Sequence, residues 1–302
     1  MGRSSVDPAA ERPELGVQPH ITDRTVGAVD FALLVAERAI SSLFLCEHTH
    51  IPVHTASLSP RGILPEWTKH IPDPYISLAA VAATTDLELG TAVGLVAQHD
   101  AIALAKQIAT LDQLCGGRFV LGVGWGWNRE EFENHARLPA SQRVPVLREH
   151  VEVMRRFWAH EVSEYHGQFL DVAPSWSWPK PCRRGGPPVL IGASGSERNL
   201  ARVAEWADGW IPMGLPSLDG EFVQTLARLR RLWDAAGRDP IDLDVTILQA
   251  AGPREDIARV LDRGTALGVR RVLVYIPEEQ MDLAPAILDE VARGADLIGR
   301  PD

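Results

Sequence analysis

The sequence predicts a (β/α)8 barrel. Short apolar or β-branched runs alternate with amphipathic segments from one end of the chain to the other, which favours a parallel sheet with helices outside it. There are eight of each, the number that closes a barrel. A chain of 302 residues that is 45% hydrophobic is long enough to enclose a core of that size. An open, doubly wound sheet of eight strands is the competing arrangement at this stage.

The expected strands, in order, are 14–18 (ELGVQ), 42–47 (SLFLCE), 87–95 (LELGTAVGL) and 118–124 (RFVLGVG). They are followed by 188–192 (PVLIG), 209–212 (GWIP), 243–248 (LDVTIL) and 271–275 (RVLVY). The expected helices are 29–40, 75–83, 101–114, 144–158, 197–206, 222–235, 254–266 and 283–292, each amphipathic at helical spacing. Two connections are too long for simple turns. Residues 48–74 are rich in proline and carry four histidines, and residues 161–188 hold Trp176, Trp178 and the tail PKPCRRGGPP. Long loops in a compact domain are usually lids or binding loops, and both are expected on the side where barrel active sites lie.

A formal net charge of −10 argues against a nucleic-acid partner, which would need a basic face to neutralise phosphates. Lysine occurs only at Lys69, Lys106 and Lys180, so arginine supplies nearly all the basic charge. Cys46, Cys115 and Cys182 are odd in number and widely spaced, without disulfide or zinc spacing. The opening MGRSSVDPAAER has no apolar stretch of the kind a secretory signal needs, and no run approaches 18 apolar residues. The expectation is a cytoplasmic protein that avoids membranes. Residues 1–13 are expected to be frayed and 14–302 to form one domain.

Three constellations could carry chemistry. The first is Glu47-His48-Thr49-His50 at the end of the second strand. A His-x-His pair there could chelate a metal, but the last histidine is His166 and the final strand carries no aspartate, so further ligands are lacking and no metal is expected. His48 acting alone as a proton or hydrogen-bond donor is the favoured reading, and a merely polar loop is the third.

The second constellation is LGVGWGW at 121–127. Gly122, Gly124 and Gly126 are spaced G-x-G-x-G after the fourth strand, a poor match to the dinucleotide fingerprint G-x-G-x-x-G. Tight packing of a barrel strand would explain them, but three together favour a flat group lying against bare backbone. The third is Ile191-Gly192-Ala193-Ser194-Gly195-Ser196, small residues leading into a helix whose first N–H groups could hold a phosphate. Ser196 as an ordinary N-cap explains the same residues.

At residues 90–132 the chain reads GTAVGLVAQHDAIALAKQIATLDQLCGGRFVLGVGWGWNREEF. This block resembles the luciferase-like monooxygenase superfamily, and most closely its subgroup that uses the deazaflavin coenzyme F420. The likeness extends to EHTHIPV, to PPVLIGASGSERNLARVAEWADGWIP and to GVRRVLVYIP, and so covers most of the chain. It implies a barrel with insertions and a flavin or deazaflavin across the C-terminal mouth. It implies a small-molecule substrate and hydride transfer, with an FMN-dependent monooxygenase as the alternative. Members often pair as dimers, which makes a homodimer the implied assembly.

Residue by residue, His48 matches the family's active-site histidine. Ala92 and Val93 fall where many members have a non-prolyl cis peptide behind the ring. Gly124, Trp125, Gly126 and Trp127 match the backbone lining the cofactor, and Ala193, Ser194 and Gly195 match the loop that holds its phosphate. Two departures stand out. Bacterial luciferase has a phosphate-binding arginine where this chain has Trp125, which points away from FMN. The F420-dependent glucose-6-phosphate dehydrogenases have a catalytic glutamate where it has Trp127, which points away from sugar phosphates. Trp125 and Trp127 are expected to wall the substrate pocket, with Trp176 and Trp178 as either further walls or loop anchors.

Overall fold

The computed structural model describes residues 12–59 and 62–297. Ten strands run in chain order as β1 Glu14–Pro19, β2 Ser42–Leu45, β3 Glu88–Gly94, β4 Phe119–Val123, β5 Val162–His166, β6 Asp171–Trp176, β7 Val189–Ala193, β8 Gly209–Pro212, β9 Asp244–Ala250 and β10 Arg271–Ile276. All but β5 and β6 close into one parallel barrel in the order β1-β2-β3-β4-β7-β8-β9-β10, with β10 pairing back onto β1. That closure removes the open-sheet alternative. Residues 1–11 of the segment expected to be frayed lie outside the described residues; Arg12 donates to the Ala295 carbonyl and Pro13 is buried.

The helices are α1 Ala28–Ala36, α2 Pro74–Ala82, α3 Ala101–Leu114, α4 Arg129–Ala136, α5 Arg143–Ala159, α6 Glu197–Trp206, α7 Gly220–Ala235, α8 Arg254–Leu267 and α9 Ala284–Leu297. None of the described helices is long and apolar enough to cross a membrane. Two elements escape sequence periodicity. Helix α4 buries only Glu131 and Phe132, so it has no apolar stripe to betray it. The β5–β6 hairpin is mostly exposed and carries Pro174, a residue tolerated only at strand edges.

That hairpin corrects the placement of the second long connection. It follows α5, which runs back towards the N-terminal ends of the barrel strands, and not a strand end at the mouth. Lys180 Nζ donates to the Phe157 and His160 carbonyls, and the Cys182 N–H donates to Asp112 at 2.7 Å, tying the tail to the outer layer of α3 and α5. Trp176 and Trp178 are therefore 74% and 57% exposed on the outside of the barrel. That places them away from the barrel mouth.

Inside the barrel, Phe44, Val120, Leu190, Ile211 and Leu273 form a separate apolar cluster. Below it the N-terminal ends of four strands converge on one buried cation. Arg271 donates to Glu88 at 2.7 Å, to Thr246 at 2.8 Å, to Asp244 at 3.2 Å and to Glu14 at 3.3 Å. Burial, and Glu14 beside it, push the Glu88 carboxyl up to about 7 against the pull of Arg271.

At the other end, β3 breaks register against β4 between Thr91 and Gly94, and the Ala92–Val93 peptide there is cis. The bulge throws the Val93 side chain over the ends of the neighbouring strands β4 and β7. A Cβ on Gly124 would stand 2.5 Å from Val93 Cγ2, and one on Gly192 would stand 2.5 Å from Val93 Cγ1. A Cβ on Gly122 would meet the Thr91 carbonyl oxygen at 2.0 Å. Close packing thus explains Gly122, Gly124 and Gly192: their missing side chains admit the chain's own bulge.

Candidate active site at the barrel mouth

The segment after β2 is pinned before it reaches His48. Glu47 accepts the Leu95 N–H at 2.5 Å and His99 Nε2–H at 2.6 Å, so its carboxylate ties the end of β2 to the end of β3. Burial alone would lower the His99 pKa, but the Glu47 carboxylate outweighs it and raises the value. Glu47 serves structure. The next side chain is presented to the mouth.

His48 Nδ1–H donates to Glu131 Oε2 at 2.8 Å, and the Thr49 N–H donates to Glu131 Oε1 at 2.8 Å. Glu131 is fully buried, in the first turn of α4, where Asn128 caps the helix by accepting the Glu131 N–H at 3.0 Å. Burial works to raise the Glu131 pKa, yet the His48 and Thr49 contacts hold it below its ordinary value. An ionised carboxylate on Nδ1 fixes the proton on that nitrogen and leaves Nε2 for other work. This is how a histidine is oriented for proton transfer.

Aromatic rings surround the pair. The His48 ring stands 5.2 Å from Trp127 at an interplanar angle of 70°, and 6.5 Å from Trp67. Trp67, from the long loop after β2, lies over His20 at 3.6 Å, and His20 meets Tyr275 edge-on at 4.8 Å. His50 faces elsewhere, towards Asn134 at 2.9 Å, so the two histidines of the His-x-His pair hold different partners. Among the described residues no three metal-ligating side chains converge.

Gly126 turns with φ of 71°, a left-handed conformation that favours glycine. Near it the Gln98 side-chain Nε2 is buried with no partner, 3.6 Å from where a Gly126 Cβ would stand, and Asn128 Nδ2 is likewise unpartnered. Buried amide donors left unsatisfied call for an acceptor. They suit the carbonyl edge of a flat ring.

At the end of β7, Ala193, Ser194 and Gly195 lead into α6 as expected, but Ser196 does not cap with its side chain. Asn199 works locally instead, with Nδ2 donating to the Ser194 carbonyl at 3.2 Å and to Ser194 Oγ at 3.1 Å. Ser196→Ala should therefore shift the denaturation midpoint by no more than about 0.5 kcal/mol of stability, against about 1 kcal/mol for a working cap. Chemical denaturation checks this, and a loss of a full kcal/mol would restore the capping role.

A family profile described as luciferase-like monooxygenase matches residues 4–296. The chain belongs to that family. An uncharacterized protein of Mycobacterium tuberculosis is 38% identical over 277 residues, covering 90% of this chain and 94% of the relative. Among solved structures, an F420-dependent secondary alcohol dehydrogenase superposes with a TM-score of 0.74 at 15% identity, over 94% of this chain and 99% of that one. The oxygenating constituent of 3,6-diketocamphane monooxygenase from Pseudomonas putida, in complex with FMN, superposes with a TM-score of 0.70 at 16% identity, over 97% and 100%.

The luciferase-like barrel thus brings His48, Trp127 and Trp67 together at one mouth, with Trp125 and the 193–195 loop beside them. Sequence reasoning missed Glu131, Asn128, Trp67 and His20. One signal was available. Asn128-x-x-Glu131 has the spacing of a capping box, but its glutamate turns to His48 and not back to the cap.

Proposed function

We propose that this luciferase-like protein is a coenzyme F420-dependent oxidoreductase acting on a small organic acceptor. The observation that carries it is the buried His48–Glu131 pair at 2.8 Å, walled by Trp127 and Trp67. The deazaflavin, when bound, would supply the hydride chemistry. Gln98 and Asn128 would meet its ring carbonyls, the Ala92–Val93 bulge and the Gly124–Trp127 backbone would back the ring, and the 193–195 loop would hold its phosphate.

What the chain itself contributes is proton handling and dryness. His48, with Nδ1 committed to Glu131, places Nε2 to hand a proton to the substrate atom that gains charge. Glu131 stabilises the imidazolium without itself titrating in that role. The indoles exclude water from that transfer and offer broad, uncharged walls to the substrate. No carboxylate stands at position 127, which agrees with a neutral acceptor and not with a sugar phosphate.

An FMN-dependent monooxygenase is the second reading, favoured by a cation, Arg202, that packs over Trp125 and offsets the arginine missing at that position. Fluorescence titration with F420 and, separately, FMN tests the two. The expected result is F420 binding at least tenfold more tightly, a difference of about 1.4 kcal/mol. Equal or tighter FMN binding would move the function to the monooxygenase.

A further inference from the structure

Three arginines gather around the Ser194–Gly195 loop of a chain whose net charge is −10: Arg198 and Arg202 on α6, and Arg228 on α7. Among the described residues none of the three has a carboxylate oxygen within 4.0 Å; the nearby Glu205 is taken by Arg148 at 2.7 Å. Arg228 is held instead by Thr225 at 2.9 Å, the threonine against which Gly195 packs. Arg202 is built in more firmly. Its Nη1 donates to Asn199 Oδ1 at 2.8 Å, and Asn199 in turn donates to Ser194 Oγ at 3.1 Å. Its guanidinium stands over the Trp125 ring, 5.9 Å from the centroid.

This arrangement is a relay of contacts from β4 to α6 with a partly buried cation at its centre. Helical side chains lean towards the helix N-terminus, which carries the Arg202 head up from the second turn to the level of the loop. The Trp125 face lies beneath the guanidinium, and Asn199 takes one of its five donors, leaving the others for an acceptor. Burial, and then the like charge of Arg198, depress the Arg202 pKa against the pull of Glu205.

We infer that Arg202 is the cation that binds the cofactor phosphate, reaching the Ser194 loop from α6 across the face of Trp125. The inference rests on the flavin-type reading above and assigns a residue within it. Position 125 therefore discriminates between cofactors less than its change from arginine to tryptophan suggests, because the charge returns from another element. Trp125 becomes the platform for the cation.

The test is a two-by-two comparison on the full chain. Wild type and Arg202→Gln are titrated with FMN and riboflavin, and with F420 and its dephosphorylated deazaflavin nucleoside. Loss of one charge-assisted contact should weaken the phosphorylated ligands by tenfold to about a hundredfold, roughly 1.4–2.8 kcal/mol, and leave the dephosphorylated ones within about twofold. Arg202→Lys should recover part of the loss, since it keeps the charge but not the planar stack. Equal weakening of both ligand forms would make Arg202 a structural residue, and no weakening would place the phosphate elsewhere; either overturns the inference. Failure of the wild type to bind any of the four would overturn the cofactor reading itself, and the inference with it.

Discussion

Replacing His48 by alanine should lower the rate at which an acceptor oxidises the reduced cofactor by about a hundredfold or more. General acid–base catalysis by one positioned side chain contributes roughly 10²–10⁴-fold, and His48 is held on Nδ1 by the buried Glu131 carboxylate while its ring faces Trp127. Affinity for the cofactor should change far less, because the loop and bulge proposed to hold it are contributed by β3, β4 and β7. His50→Ala is the control and should be much milder, since His50 turns to Asn134 and Thr49. Stopped-flow measurement of cofactor oxidation, with affinity measured in parallel, separates the two effects. A variant that turns over normally would remove His48 from the mechanism, and an equal loss in His50→Ala would mean the loop as a whole had been disturbed.

Arg271→Met should destabilise the barrel by about 3–5 kcal/mol, without touching the mouth. Removing one partner of a buried ion pair leaves the other uncompensated. Here it strands Glu88, which among the described residues pairs with no other cation, at the bottom of the barrel, while Asp244 keeps Arg270 at 3.5 Å. The pH dependence has a definite sign. Without Arg271 the Glu88 carboxyl binds its proton more tightly folded than unfolded, so stability falls as pH rises through the range from about 4.5 upward. The cost should therefore be smaller at pH 5 than at pH 8. Urea denaturation at the two values reads it, and a loss below 1 kcal/mol, or one independent of pH, would show that the charges relax into water. Glu88, already pushed up to about 7 by burial, is the group to titrate first.

The barrel was legible because its signals are local and repeated. Each of the eight barrel strands coincides with an apolar run in the sequence, and the amphipathic segments between them give α1–α3 and α5–α9, with differences only at the ends. The positions of His48 just after β2 and of the 193–195 loop just ahead of α6 were legible too. The cis peptide at Ala92–Val93 came only from family resemblance, since nothing in the composition of G-T-A-V demands it.

Other features were decided in three dimensions. Glu131 lies 83 residues from His48, and its role depends on a short polar helix that no periodicity reveals. Arg202 supplies a cation beside Trp125 although 77 residues separate them. Trp176 and Trp178 read equally well as pocket walls or loop anchors until the hairpin places them on the outer layer. The alternating glycines were the subtlest case: the pattern favoured a flat group against bare backbone, but at Gly122 and Gly124 the fold shows that Thr91 and Val93 make the approach. The physical reason is the same throughout. Periodicity and turn chemistry act between neighbours along the chain, and they fix which segments become strands and helices. Partners in a site meet only when the barrel closes, and closure brings together strand ends that the sequence keeps far apart.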